Sequence, residues 1–308
     1  MNKQQLNEVL ACLGGQRRLF WYFPERFAFL LLAQASERAH TLRALKQRPE
    51  GRLLERAAVR ALLKHCGDGA LTPDIFRSHW DHRAVPFVLN LGYWGGRGYR
   101  PWRQTSRGGY NLVLRLDFAS DHMQELKRRF GDYGWLYNCD SHPVAQQQNR
   151  LRETLAWARL DLDFDSDEVL IEEIQSDWVR DAKWASTHGW QTSNGKISSA
   201  EARSYLEEVL QPIVGIWAEA MLMATLWFIH EELGISRVFY HEYATGCALK
   251  QLRYDKPPRS LYSALPRRFC MTLVDHAPKF LQRDKRSQRV LKRVQPHRFY
   301  HRRLNASG

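Results

Sequence analysis

Cysteine is scarce in this sequence and never paired. The five cysteines (Cys12, Cys66, Cys139, Cys247 and Cys270) lie far apart, and no CxxC motif occurs. An odd, scattered set excludes a disulfide framework and a zinc knuckle, so we expect a reducing compartment. The first residues also lack the basic-then-apolar layout of a secretory signal. These absences together predict a cytoplasmic protein.

Long apolar runs and metal-binding motifs are missing as well. The longest apolar run, residues 213–229, is interrupted by Glu219 and falls short of the ~20 residues that a membrane helix needs. His230 and Glu231 resemble half of a zinc-protease motif, but the position four residues after this histidine is Gly234. We therefore expect a buried helix, no membrane partner and no metal.

Positive charge is abundant but unevenly placed. The net charge is +13, and residues 279–303 contain ten Lys or Arg against one acid, Asp284, so this segment carries nine of the thirteen charges. A basic C-terminal tail either binds nucleic-acid phosphates by releasing counterions or is a solvated, solubilising end. The side chains predicted for a nucleic-acid contact are Arg286, Arg289, Lys292 and Arg293.

The hydrophobic pattern changes along the chain. Residues 1–80 have helical spacing, with an apolar stretch at 20–35. From residue 85 onward, alternation of period two predicts strands, including an antiparallel hairpin over 155–175. A helix over 211–233 then precedes further strands.

This order predicts an α+β fold, with a helical N-terminal region followed by a mixed, mostly antiparallel sheet and packed helices. We divide the chain into the helical region 1–80, a core domain 81–278 and the basic tail 279–308.

Polar residues cluster where the second strand of the hairpin ends. Residues 172–177 contain three carboxylates, an amide and a hydroxyl, directly after an apolar run. Period two places Glu173, Gln175 and Asp177 on one face and Glu172 on the other. Desolvation of a carboxylate raises its pKa towards that of a general base, so we predict catalytic roles for these four residues.

A structural role explains the same residues. Ser176 or Asp177 is a candidate N-cap for a helix beginning at Trp178, and the glutamates have a candidate ion-pair partner in Arg159. His241 at a later strand end is a further candidate, as either a ligand contact or a packed histidine. The glycine-rich residues 92–109 suit either a phosphate-binding loop or a mobile hairpin loop.

Two resemblances follow from these residues. Glu173–Trp178, read as EIQSDW, resembles a segment of uncharacterised domains in large phage and mobile-element proteins, and the rest resembles bacterial proteins of unknown function. The order of strands and helices predicted over 155–274 resembles that of the GNAT acyltransferases. That resemblance implies an acyl-CoA donor, a base at Glu173 or Glu172, and Tyr262 as the acid towards the departing thiolate. It also implies a donor-binding turn, for which Gln211 and Gly215 are the matching residues.

The leading hypothesis is therefore a GNAT-like acyltransferase acting on a small-molecule or macromolecular amine. Glu173 would deprotonate the amine, Gln175 would orient it and Tyr262 would protonate the leaving group. The alternative is a non-enzymatic nucleic-acid-binding protein of phage or mobile-element type that uses the basic tail. A third reading is a site like that of ADP-ribosyltransferases, built from Arg115, Ser106 and Glu173.

Overall fold

The computed structural model describes residues 1–14, 18–66, 71–131, 152–192, 195–254 and 256–304. Cys139 and residues 305–308 of the predicted tail lie outside the described residues. Over the described residues the chain is an α+β protein in which helices pack on a large mixed sheet. The predicted fold class is confirmed.

Ten strands occur in the described residues. They are β1 (Arg18–Tyr22), β2 (Val85–Gly96), β3 (Gly109–Phe118), β4 (Thr154–Asp163), β5 (Glu168–Gln175), β6 (Trp190–Thr192), β7 (Gly195–Ile197), β8 (Arg237–His241), β9 (Thr272–Val274) and β10 (Phe299–Arg303).

Most helices are short. They are α1 (Lys3–Leu13), α2 (Arg26–Ser36), α3 (Leu42–Lys46), α4 (Ala57–Lys64), α5 (Pro73–Arg77), α6 (Ser120–Phe130), α7 (Asp177–His188), α8 (Ser199–Glu208), α9 (Gln211–Val214), α10 (Trp217–Glu231), α11 (Tyr243–Leu249), α12 (Ala264–Arg268), α13 (Lys279–Arg283) and α14 (Lys285–Arg293), with 3₁₀ turns at Pro49–Glu55, Pro101–Arg103 and Arg259–Tyr262. None of the described helices is long and apolar enough to cross a membrane.

The main sheet has eight strands in the order β1-β2-β3-β4-β5-β8-β10-β9. Its neighbours pair antiparallel except β5 and β8, which are parallel from Glu168 opposite Arg237 to Ile171 opposite Tyr240. Beyond this point β5 continues to Gln175, whereas β8 ends at His241 and α11 begins. The two strands therefore part directly beside Glu172.

The N-terminal region is not entirely helical. Residues 18–22 form β1, an edge strand whose Phe20 and Tyr22 face the core while Leu19 and Trp21 are exposed. Sequence reasoning merged this short alternation with the apolar run that follows it, because both are rich in large side chains. Helix α2 begins only after Pro24.

The predicted hairpin over 155–175 is present as β4 and β5, but it contains a bulge. Arg159 pairs with Glu173 and Leu160 pairs with Ile171, so Glu172 is the extra residue of β5. Ile171 and Ile174 consequently contribute to the same hydrophobic core although they are three positions apart. A bulge shifts the alternation of side chains, which places Glu172 and Glu173 on the same face of the sheet. The prediction that they lie on opposite faces is wrong.

The basic segment at the C-terminus is part of the fold, contrary to the tail expected from the sequence. Helices α13 and α14 contribute Phe280, Leu281 and Leu291 to a core on one face of the sheet. Strand β10 lies between β8 and β9. The many charges concealed a sparse apolar pattern, because each of these elements buries only two or three side chains and most of their cations are exposed.

The two faces of the sheet are covered differently. Successive residues of a strand point to opposite faces, and Leu170 and Ile171 belong to two different cores. Helix α10 packs with the core of Ile171, and α13 and α14 pack with that of Leu170. Helix α10 and the shorter α9 replace the single predicted helix over 211–233.

Candidate functional site

Glu172 is the centre of a buried hydrogen-bonded group. Its two carboxylate oxygens accept from Ser106, one from the backbone N–H at 2.9 Å and the other from the hydroxyl at 2.8 Å. The His241 Nε2 lies 3.1 Å from Glu172 Oε2 and 3.0 Å from Ser106 Oγ. All three residues are fully buried. The bulge in β5 and the end of β8 bring these side chains together.

The charges of this group follow from its partners. Burial lowers the pKa of His241, although the hydrogen bond to the Glu172 carboxylate and the negative charge of that group oppose this effect. Burial alone would raise the pKa of Glu172, but the hydrogen bond and the charge interaction with His241, followed by the positive charges of Arg159 and Lys250, outweigh it and lower the pKa to about 2. The other ring nitrogen of His241, Nδ1, is buried and has no hydrogen-bond partner among the described residues.

Ser106, His241 and Glu172 are the residue types of a hydrolytic triad, but their geometry differs from one. In such a triad the two ring nitrogens have different partners, because one receives the proton of the nucleophile and the other holds the carboxylate. Here Nε2 faces both the serine and the carboxylate. Ser106 Oγ also has no exposed surface from which to attack a substrate. The group is therefore not arranged for nucleophilic catalysis by Ser106.

Glu173 lies beside Glu172 but has its own partners. It is hydrogen-bonded and ion-paired to Arg159 on β4, as the sequence suggested. Arg159 also donates to the backbone carbonyls of Arg103 and Gln104 at 2.7 Å and 3.0 Å. The Glu173 carboxylate lies 3.9 Å from the Lys250 ammonium nitrogen. Arg159 therefore ties the glycine-rich loop to the carboxylate cluster.

Lys250 joins the carboxylates to Tyr262. Its Nζ donates to the carbonyl of Glu172 at 3.1 Å and lies 3.3 Å from the Tyr262 hydroxyl. Burial lowers the pKa of Lys250 even though the Glu173 carboxylate opposes it. Burial, aided by the negative charge of Glu173, raises the pKa of Tyr262 well above its usual value. Glu173, Lys250 and Tyr262 thus lie in a buried row of groups that can carry protons, joined by an ion pair at 3.9 Å and a hydrogen bond at 3.3 Å.

The glycine-rich loop closes over this cluster. Arg107 forms two hydrogen bonds with Asp161, at 2.6 Å and 2.9 Å. The carbonyl of Ser106 accepts from Arg286 at 2.5 Å and from the Ser287 hydroxyl at 3.0 Å. These contacts, with those of Arg159 and Glu172, fix residues 103–107 between the sheet and α14. The sequence left open a phosphate-binding loop or a mobile hairpin loop, and residues 103–107 of this loop are held by contacts with the sheet and α14.

Gln175 and Asp177 form a separate polar group. Asp177 accepts from the Trp157 indole at 3.1 Å, binds Arg180 at 3.0 Å and accepts from the Gln175 amide. Ser176 is the N-cap of α7, because its hydroxyl accepts from the Val179 N–H at 3.1 Å. Of the two N-cap candidates, Ser176 is the one that caps α7, and Asp177 lies in its first turn.

Gln211 and Gly215, the predicted donor-binding residues, are both exposed. They belong to α9 and to the turn before α10, and α9 packs against α8. A Cβ built on Gly215 would meet no atom within 4 Å, so no close approach requires a glycine there.

An open groove of about 600 Å³ lies along the outer side of α11. Its wall includes Tyr243, Cys247, Arg253, Lys256 and Arg259, and no described carboxylate lines it. The Tyr243 ring centre is 6.5 Å from that of Tyr262. Burial raises the pKa of the Cys247 thiol, and the charge of Lys250 only partly offsets this effect. The Tyr243 side chain thus separates the groove from the buried group Glu173, Lys250 and Tyr262.

Sequence reasoning found Glu172, Glu173, His241 and Tyr262 but missed Ser106 as a partner of Glu172, and Lys250. Lys250 directly follows α11, whose residues are mostly small or apolar. A lone lysine at the end of such a helix is ordinarily exposed. A signal existed for Ser106, which ends a run of polar residues flanked by glycine and arginine. The sequence does not reveal that Ser106 contacts Glu172 and His241, because these partners are 66 and 135 positions away from it.

No protein-family model, curated protein or solved structure matches the chain. In the part of the chain that the structure describes, no three His, Cys, Asp or Glu side chains are grouped to hold a metal ion.

Proposed function

We propose that the chain is an acyltransferase that moves an acyl group from a CoA thioester to an amine. One observation carries the proposal: a basic groove lies one side-chain layer from the buried chain Glu173–Lys250–Tyr262. Acyl transfer to an amine needs a proton acceptor and a proton donor, and the three side chains Glu173, Lys250 and Tyr262 include both.

The groove suits the phosphates of the donor. Arg253, Lys256 and Arg259 are exposed cations on its wall, and Tyr243 lies at the side nearest to Tyr262. Guanidinium and ammonium groups are the usual partners of phosphate oxygens. This assignment moves the donor site from Gln211 and Gly215 to α11 and the 3₁₀ turn that follows.

The chemistry balances without any further reagent. The amine nitrogen attacks the thioester carbonyl, so a C–N bond forms and the C–S bond breaks. The Tyr243 side chain, which lies between the groove and Tyr262, would have to move aside for this step. The proton lost by the amine then enters the Glu173–Lys250 pair, and Tyr262 gives its phenolic proton to the departing thiolate. Lys250, 3.3 Å from the Tyr262 hydroxyl, then restores that proton. The products are an amide and a thiol.

Calorimetric titration with acetyl-CoA at moderate salt, followed by an assay of thiol release with a panel of amines, tests the proposal. We expect saturable binding by the native protein. In Tyr262→Phe we expect binding to persist and thiol release to fall by about 100-fold or more, because a general acid contributes about this much.

Tyr240→Phe is the matched control. The Tyr240 hydroxyl is equally buried, and it has no hydrogen-bond partner among the described residues. We expect this variant to keep both binding and thiol release. Absence of acetyl-CoA binding to the native protein would contradict the donor assignment, and equal turnover in the two variants would remove Tyr262 from the mechanism.

A further inference from the structure

Helix α14 presents a face made only of basic side chains. Ser287 and Leu291 are buried on its inner side. Its exposed cations are Lys285, Arg289, Lys292 and Arg293. Residues three and four apart are neighbours on a helix, with their Cβ atoms about 5–6 Å apart. These four side chains therefore form one continuous surface, which we call the α14 basic face.

The charges of the α14 basic face are not neutralised within the described residues. Three other cations of the segment are paired: Arg283 with Asp163, Arg298 with Asp275 and Arg302 with Glu50. The four side chains of the α14 basic face have no ion pair among the described residues. Asp284, the acid nearest to them in sequence, is the N-cap and accepts from the Ser287 N–H at 2.7 Å. The face is thus free to bind anions.

Arg286 does not belong to this face. Its guanidinium donates to the carbonyls of Ser106 at 2.5 Å and Leu249 at 2.7 Å, and it lies 3.4 Å from the centre of the Tyr99 ring. Arg286 therefore anchors α14 to the loop over Glu172. The predicted nucleic-acid contact at this residue is corrected to a structural role, and Lys285 takes its place.

We propose that the α14 basic face binds the phosphate backbone of a nucleic acid without reading its sequence. Several fixed cations on one rigid helix gain affinity by releasing counterions from a phosphate chain. The face has no exposed apolar side chain to insert into a bilayer. It also lacks the aromatic anchors that dominate protein interfaces, from which lysine is depleted. This inference does not depend on the proposed acyl transfer.

The test uses fluorescence anisotropy with labelled single-stranded and double-stranded DNA oligonucleotides of mixed sequence over a range of salt concentrations. One variant changes Lys285, Arg289, Lys292 and Arg293 to Gln. The matched control changes four other exposed cations, Arg43, Lys46, Arg60 and Lys64 on α3 and α4, to Gln. Both variants lose the same net charge, and circular dichroism verifies that each is folded.

We expect the α14 variant to bind at least about tenfold more weakly at low salt, with a log–log salt slope smaller by about 3 to 4. We expect the control variant to bind as the native protein does. If both variants bind DNA equally more weakly than the native protein, the loss is explained by net charge alone and the proposal is overturned. Absence of DNA binding at low salt would overturn it too, as would a preference for phosphatidylserine vesicles over DNA.

Discussion

At the scale of single residues, neighbouring carboxylates have separate environments. Glu172 is held by a serine and a histidine, whereas Glu173 is held by Arg159 and Lys250. The expected Arg159–Glu173 pair is present because β4 and β5 form the predicted hairpin. A buried pair has lost its hydration, so removal of one partner leaves the other charge uncompensated.

Glu173→Gln therefore tests stability before it tests catalysis. We expect the free energy of unfolding to fall by about 3–5 kcal/mol, because Arg159 and Lys250 would both lose a buried counter-charge. Urea denaturation measures the change. The control is Glu125→Gln, which breaks partly exposed ion pairs with Arg128 and Arg129 and should cost much less because water reaches and screens them. Similar losses in both variants would contradict the buried-pair assignment.

At the scale of elements, α11 determines how the cluster is covered. It begins directly after β8, and Glu242 caps it by accepting from the N–H groups of Ala244 and Thr245. Its Gly246 packs on His241, where an added Cβ would lie 2.8 Å from the histidine Cβ. The short helix was predicted from the sequence, but its close packing on His241 was not. That packing depends on the absence of a side chain at Gly246, and a sequence pattern does not show which element lies against a glycine.

Gly246→Ala and Gly215→Ala form a matched pair. Helix propensity alone predicts that alanine stabilises α11 by about 1 kcal/mol. We expect the opposite, a loss of about 1–3 kcal/mol, because the added methyl group overpacks against His241. Gly215 has φ −77° and open space around it, so alanine should stabilise there by about 0.4–1 kcal/mol. Thermal unfolding shows whether each substitution raises or lowers the stability. Stabilisation by Gly246→Ala would contradict the close packing of Gly246 on His241.

At the scale of the whole molecule, the C-terminal segment completes the sheet. Strand β10 pairs with β8 on one side and β9 on the other, and its Phe299 and Tyr300 are buried. Arg302 reaches from β10 to Glu50 in the N-terminal part, 2.9 Å away. The segment therefore connects distant parts of the chain.

A chain that ends at residue 278 should not fold. It would lose β10 from between two strands and the buried side chains of α13 and α14, which exposes the edge of β8. Circular dichroism and thermal unfolding are the measurements, and a chain that ends at residue 304 is the control. Cooperative unfolding of the shorter chain at the control's midpoint would contradict the integrated role of the segment.

Local patterns were enough for the fold class, the β4–β5 hairpin, the N-cap at Ser176 and the position of the polar cluster. Each of these depends on residues a few positions apart, where the periodicity of a strand or the chemistry of a helix end leaves a direct mark. The shared face of Glu172 and Glu173, the partners Ser106 and Lys250, and the place of β10 were decided by the packed chain. A bulge leaves no mark in the periodicity before pairing occurs, and long-range partners meet only when strands from separate parts of the chain enclose them. The same limit hid the difference between Arg286 and its neighbours on α14, since burial against another element distinguishes an anchor from a free charge.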